Sequence, residues 1–195
     1  DPALLVRHFA AELTPGDGRT VDVRIVKYGE RALVRDGHGG QPLGVPYQEE
    51  WAPGAFDHQV NAAHRLTANV EHEDGVKGIV ARGLALRSAN DALYGSFTFL
   101  KTPNGDTALE LVREGVYDSI SMESYPAKAR RLADGAIQRT KAHLRAIAFC
   151  SNPAFASSRV LALRGVAHED VIVMDEALYV QPRDPALLAR MKILG

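Results

Sequence analysis

Two residue types in this chain could together perform acyl transfer, a serine in the run YDSISMES and a histidine in the run NVEHEDG. Ser121 lies in the first, just after a helix-stopping Gly115, and shares strand parity with Ser119, so either hydroxyl could face the same pocket. A serine hydroxyl is a weak nucleophile at neutral pH and needs a base within hydrogen-bond reach. His72 could supply that base. Alternation places it on one strand face with Leu66, Ala68 and Val70, opposite Thr67, Asn69 and Glu71. An imidazole turned inward must find a hydrogen-bond partner or stay neutral at a cost. Glu71, Glu73 and Asp74 flank it. The spacing alone leaves an ordinary alternative open for each, a serine on a solvated strand and a histidine at a sheet rim. Four other histidines, His8, His38, His58 and His168, sit in polar or terminal surroundings and read as surface residues.

Other chemistries find no support in the sequence. There is no phosphate-binding loop, no dinucleotide fingerprint and no zinc-type pairing of Cys and His, so neither a cofactor nor a metal is expected. The net charge of −1 offers no basic field for nucleic acid or an anionic membrane. No apolar run reaches spanning length, and no secretory pattern opens the chain. The single cysteine, Cys150, excludes an internal disulfide framework and fits a reducing compartment. It lies on an apolar strand and reads as a packed core thiol. With 195 residues, 46% of them hydrophobic and 24% charged, the chain suits one globular domain with short extensions. Its opening at Asp1 rather than Met suggests a cut N-terminus.

The elements that must position these residues are mostly strands. Val21, Val23 and Ile25 alternate with Asp22 and Arg24, a strand signal. Residues 37–46 are dense in Gly and Pro and read as a loop, and a short helix follows Pro53. Strands are expected over 66–72, 78–86 and 93–100. Asn104-Gly105 then reads as a turn, with Asp106 or Thr107 capping a helix that ends at Gly115. A short strand around Ile120 and Met122 and a strong one over 144–150 follow, with Asp134-Gly135 as the loop tip between them. Many strands with few, short helices predict an α+β fold, a small, mostly antiparallel β-barrel flanked by helices. The expected division is a helical extension over 1–20, the barrel domain over 21–164 and an extension with a short helix over 165–195. The segments DPALLVR at the start and DPALLAR at 184–190 read as two similar helix starts, with the alternative that both mark processing sites.

Four blocks, in order, resemble the prohead protease family of tailed phages. YQEEWAPGAF at 47–56 is similar to the family's Y-x-E-x-x-x-P-G-A-F block. NVEHEDGVKG at 69–78 resembles its histidine block, and EGVYDSISME at 114–123 its serine block, in which the nucleophile follows a Gly by six positions. LRAIAFCSNPA at 144–154 is similar to the family's last core strand and its Pro-Ala turn.

The resemblance implies a serine endopeptidase distantly related to the herpesvirus assembly protease, acting without a cofactor. Ser121 would attack the scissile carbonyl and His72 would carry the proton. The substrate would be the phage major capsid protein or scaffold, cut in the host cytoplasm inside the assembling prohead. Homo-oligomerisation is compatible with this, and neither nucleic acid nor membrane is an expected partner. One departure stands out: the position where the family carries Glu, or the herpesvirus enzymes His, is Ala146 here. His143, three residues earlier on the opposite strand face, is the candidate third member if a bulge re-aims it. Glu71 and Glu123 are further candidates, and a Ser/His dyad is the simplest alternative. A catalytically degenerate assembly protein on the same fold is the rival reading.

Overall fold

The computed structural model describes residues 18–164 apart from His38, Gln41 and Asn152. The two DPALL segments and the helices expected at both ends lie outside the described residues. The described chain is a nine-stranded sheet. Its strands are β1 (Thr20–Lys27), β2 (Ala32–Val34), β3 (Tyr47–Trp51), β4 (Thr67–Val70), β5 (Ala81–Ser88), β6 (Ala92–Phe99), β7 (Ser119–Arg131), β8 (Ile137–Cys150) and β9 (Arg159–Arg164). The order β8-β4-β5-β6-β1-β9-β7 returns to β8, so seven strands close a barrel, and β3 and β2 extend the sheet from β8. All pairings are antiparallel except β4 with β8 and β3 with β8. The small, mostly antiparallel α+β barrel expected from the alternation is the observed fold.

The barrel closes around the inward face of each strand. Val21, Val23 and Ile25 of β1, Phe97 of β6, and Ile147 and Phe149 of β8 are fully buried in one cluster. Phe99 and Phe149 stack with ring centroids 5.1 Å apart. Close packing of this kind, rather than any single contact, supplies most of the folding free energy. A 3-10 helix (Asp57–Arg65) packs on β5, where Gly83 is required because a Cβ there would lie 2.2 Å from the Ala63 carbonyl oxygen.

Helix α1 (Pro103–Arg113) begins four residues earlier than the cap expected at Asp106 or Thr107 allows. Thr102 is the cap: its hydroxyl accepts the Gly105 N–H, and Pro103 occupies the first turn, where its missing N–H costs nothing. Asn104-Gly105, expected as a turn, is therefore inside the helix. The strand expected around Ile120 and Met122 is much longer, thirteen residues of a hairpin with β8, and Asp134-Gly135 does lie at its tip.

A bulge in that hairpin decides what faces outward. Glu123 pairs with Ala146 and Ser124 with Leu144, leaving Arg145 as the extra residue on β8. Ala142 and Leu144 before the bulge point into the core, as do Ile147 and Phe149 after it. Ala146 and Ala148 therefore face out, on the side opposite Leu144. Cys150 shares their parity and is buried, on the face opposite Leu144 rather than, as strict alternation would have it, on the same one.

Candidate active site

Three strands bring the candidate residues together on the outer face of the barrel. β8 lies between β4 and β7, and the registers set Asn69, Ala148 and Ser121 in one row, with Thr67, Ala146 and Glu123 in the next. Side chains in a row share a face, and their strands are spaced about 4.8 Å apart. The middle strand contributes only alanines to these two rows. A longer residue at Ala146 or Ala148 would stand between β7 and β4. The alanines instead leave a shelf across which Glu123 reaches, accepting the Asn69 Nδ2–H at 2.7 Å.

His72 does not continue the β4 alternation. The strand ends at Val70, and a tight turn closed by Glu73 N–H to Val70 O at 2.8 Å follows. Glu71 and His72 take φ of 46° and 60°, the left-handed pattern of a type I′ turn. Neither is glycine, so each conformation costs roughly 1–3 kcal/mol and persists only because its surroundings hold it. The turn corrects the expected orientation: His72 leaves the core face of Leu66, Ala68 and Val70 and reaches the outer face. There its Nδ1 lies 3.0 Å from Glu123 Oε1. An ionised carboxylate can only accept, so Nδ1 carries the proton of that bond and Nε2 is left as the basic nitrogen.

Glu123 is the hub of the cluster. Its Oε1 takes Asn69 and His72, and its Oε2 takes Arg145 NH1 at 3.0 Å. The bulged Arg145 also reaches Asp74 at 3.4 Å, tying the loop after His72 to β8. Burial pushes the Glu123 carboxyl upward, but the hydrogen bonds from Asn69 and His72 and the charges of His72 and Arg145 outweigh it. The group is held below the usual carboxylate range. Asn69 is buried, and its Oδ1 has no hydrogen-bond partner among the described residues. Such an orphan acceptor costs about 1–3 kcal/mol and is uncommon where packing is the sole constraint.

Ser121 is half-buried, two residues before Glu123 on the same face of β7. Its hydroxyl makes no hydrogen bond with His72 among the described residues. Ser119, of the same parity, is buried and donates instead to Asp118 Oδ1 at 2.6 Å, which commits its proton locally. Ser121 also borders a cleft of about 180 Å³ walled by Trp51, Ile120, Met122 and Phe155, with Asp36 and Glu49 at its polar side.

His143 lies elsewhere. The bulge does put it on the outward side of β8, but its ring meets Gln59 Nε2 at 3.5 Å and the ring of His58 at a centroid distance of 6.1 Å. The Nδ1 position that a third member would fill is taken by Glu123. Glu71, the other carboxylate considered, bonds Ser151 rather than His72. Sequence reading named Glu123 only as one of several candidates. The signal that could have raised it is its i+2 relation to Ser121, which gives a shared face on any regular stretch of strand. Among the described residues no group of three or more His, Cys, Asp and Glu side chains could hold a metal ion. No family model matches the chain, and no curated protein matches it significantly.

Proposed function

We propose that the protein is a serine endopeptidase of the prohead-protease type, with Ser121 as nucleophile, His72 as base and Glu123 as the carboxylate that orients the imidazole. The observation that carries this reading is the 3.0 Å contact of His72 Nδ1 with Glu123 Oε1, on the face that also presents Ser121 two residues away. A carboxylate on Nδ1 fixes the tautomer that leaves Nε2 free to take the serine proton, and it stabilises the imidazolium formed in doing so. The open cleft beside Ser121 suits a substrate side chain. Beyond Ile120, which donates to Ser158 O, the free edge of β7 meets no further strand among the described residues before Pro126. An extended peptide could add there as a strand, running past the hydroxyl. The proposed substrate is the capsid or scaffold protein of the same phage.

The rival reading, a non-catalytic assembly protein on the same barrel, is favoured by one observation, the missing Ser121–His72 hydrogen bond. Such bonds are often loose in an unliganded site and tighten with substrate. Co-expression with the matching capsid protein, read by intact mass, separates the two. Ser121→Ala should abolish processing, and Ser119→Ala and Ser124→Ala should retain most of it. Processing at the wild-type rate by Ser121→Ala sinks the assignment of the nucleophile, and none by the wild type favours the rival.

A further inference from the structure

We infer that Glu71 is a positioning residue, whose carboxylate clamps the strained turn carrying His72 to the end of β8. The inference rests on the proposed role of His72. The turn over 70–73 asks two non-glycine residues to adopt left-handed φ, so its geometry is not favoured locally and must be held from outside. Glu71 is held at both ends. Its N–H donates to Phe149 O at 3.0 Å, extending the parallel β4–β8 ladder one step past Val70. Its Oε1 accepts the Ser151 N–H at 3.2 Å and lies 3.3 Å from the Ser151 hydroxyl. A side chain thus replaces the next rung of the ladder where the β4 backbone has already turned away. With Glu71 pinned, His72 starts from a position whose ring reaches across the alanine shelf, its Nδ1 3.0 Å from Glu123 Oε1. Asp74 supplies the third tether through Arg145, but that bond is long, at 3.4 Å, and lies two residues beyond the imidazole. No other described bond holds the turn on the side of His72 away from Glu123.

Three variants separate the clamp from its alternatives. Glu71→Gln keeps an acceptor oxygen at the same reach. Glu71→Asn favours left-handed φ but is one methylene too short to reach Ser151. Glu71→Ala has neither property. The first readout is the rate at which Ser121 is labelled by a fluorophosphonate. The second is the 15N spectrum of the His72 ring, which reports tautomer whether or not the protein is an enzyme. The clamp predicts wild-type behaviour for Glu71→Gln. For Glu71→Ala and Glu71→Asn it predicts labelling slowed about tenfold and a His72 ring averaged between tautomers. An unchanged ring spectrum in Glu71→Ala overturns the clamp. So does wild-type behaviour of Glu71→Asn, because turn preference alone would then suffice. If the wild type does not label at all but its ring tautomer is fixed and is lost in Glu71→Ala, the clamp stands and the protease reading falls.

Discussion

At the scale of single residues, Glu123 carries the site. It gathers an amide, an imidazole and a guanidinium on two oxygens, and the sign of its pH dependence follows from that. Its folded-state pKa lies below its ordinary value, so its contribution is complete at neutral pH and is lost as pH falls through the folded-state value. Glu123→Gln removes the charge but not the shape. The stability difference between wild type and Glu123→Gln, measured by urea unfolding from pH 7 to pH 3, should therefore narrow towards the acid end. The group is partly exposed, so the difference should be modest throughout. A gap that widens on acidification would contradict the assignment. On the proposed mechanism the same variant should label Ser121 between about a hundredfold and ten-thousandfold more slowly, because the wrong tautomer of His72 becomes accessible.

At the scale of elements, the middle strand matters for what it lacks. Ala146 occupies the position where the resembled family carries a third catalytic side chain, and its smallness lets Glu123 pass over β8 from the neighbouring strand. Ala146→Leu should fill that space, since Ala146 is only 3% exposed and faces the Glu123 row. Acylation of Ser121 is expected to fall about tenfold or more, and because Ala146 is buried the added methylenes should also cost about 1–3 kcal/mol of stability. A leucine variant that labels as fast as wild type would mean that Glu123 does not act through this route. The bulge at Arg145 belongs to the same device. It lets Leu144 and Ile147 both point inward, turns Ala146 outward and places a cation on Glu123 Oε2. Further along β7, Pro126, Lys128 and two more register shifts protect the free edge against pairing with other chains. The accessible stretch of edge is thereby confined to the neighbourhood of Ser121.

At the scale of the whole molecule, the barrel is supplemented by a buried ion pair that joins the β2–β3 extension to β8. Arg139 Nε donates to Glu49 Oε1 at 2.5 Å and its NH2 to the Tyr47 hydroxyl at 3.0 Å, while that hydroxyl donates to Asp36. Both charged partners are buried. Removing one leaves the other uncompensated, so Arg139→Met should destabilise the protein by about 3–5 kcal/mol. Adding Glu49→Leu should recover a large part of that loss. Urea unfolding of the two variants checks this, and a double variant no more stable than the single one would show that the pair is not the source. The pair also supports one wall of the cleft beside Ser121, because Glu49 borders it.

The barrel itself was legible in the chain. Period-two alternation in β1, the turn residues at Asp134-Gly135 and the scarcity of helical patterning are local properties, and local properties suffice to predict many strands and a closed sheet. Ser121 and His72 were legible as residue types in suitable runs. Their arrangement was not. The face of His72 depends on a turn that two non-glycine residues adopt only under tertiary restraint, so alternation sent it the wrong way. Glu123 became the imidazole's partner because β4 and β7 flank the same strand in a particular register, and because one extra residue on β8 reverses its parity. The register comes from pairing of 67–70 with 146–149, distant in the chain, and the bulge from pairing across the long β7–β8 hairpin; together they bring 69–72 to 121–123 on either side of β8. The chain by itself determined which side chains were available, and long-range strand pairing decided which of them meet.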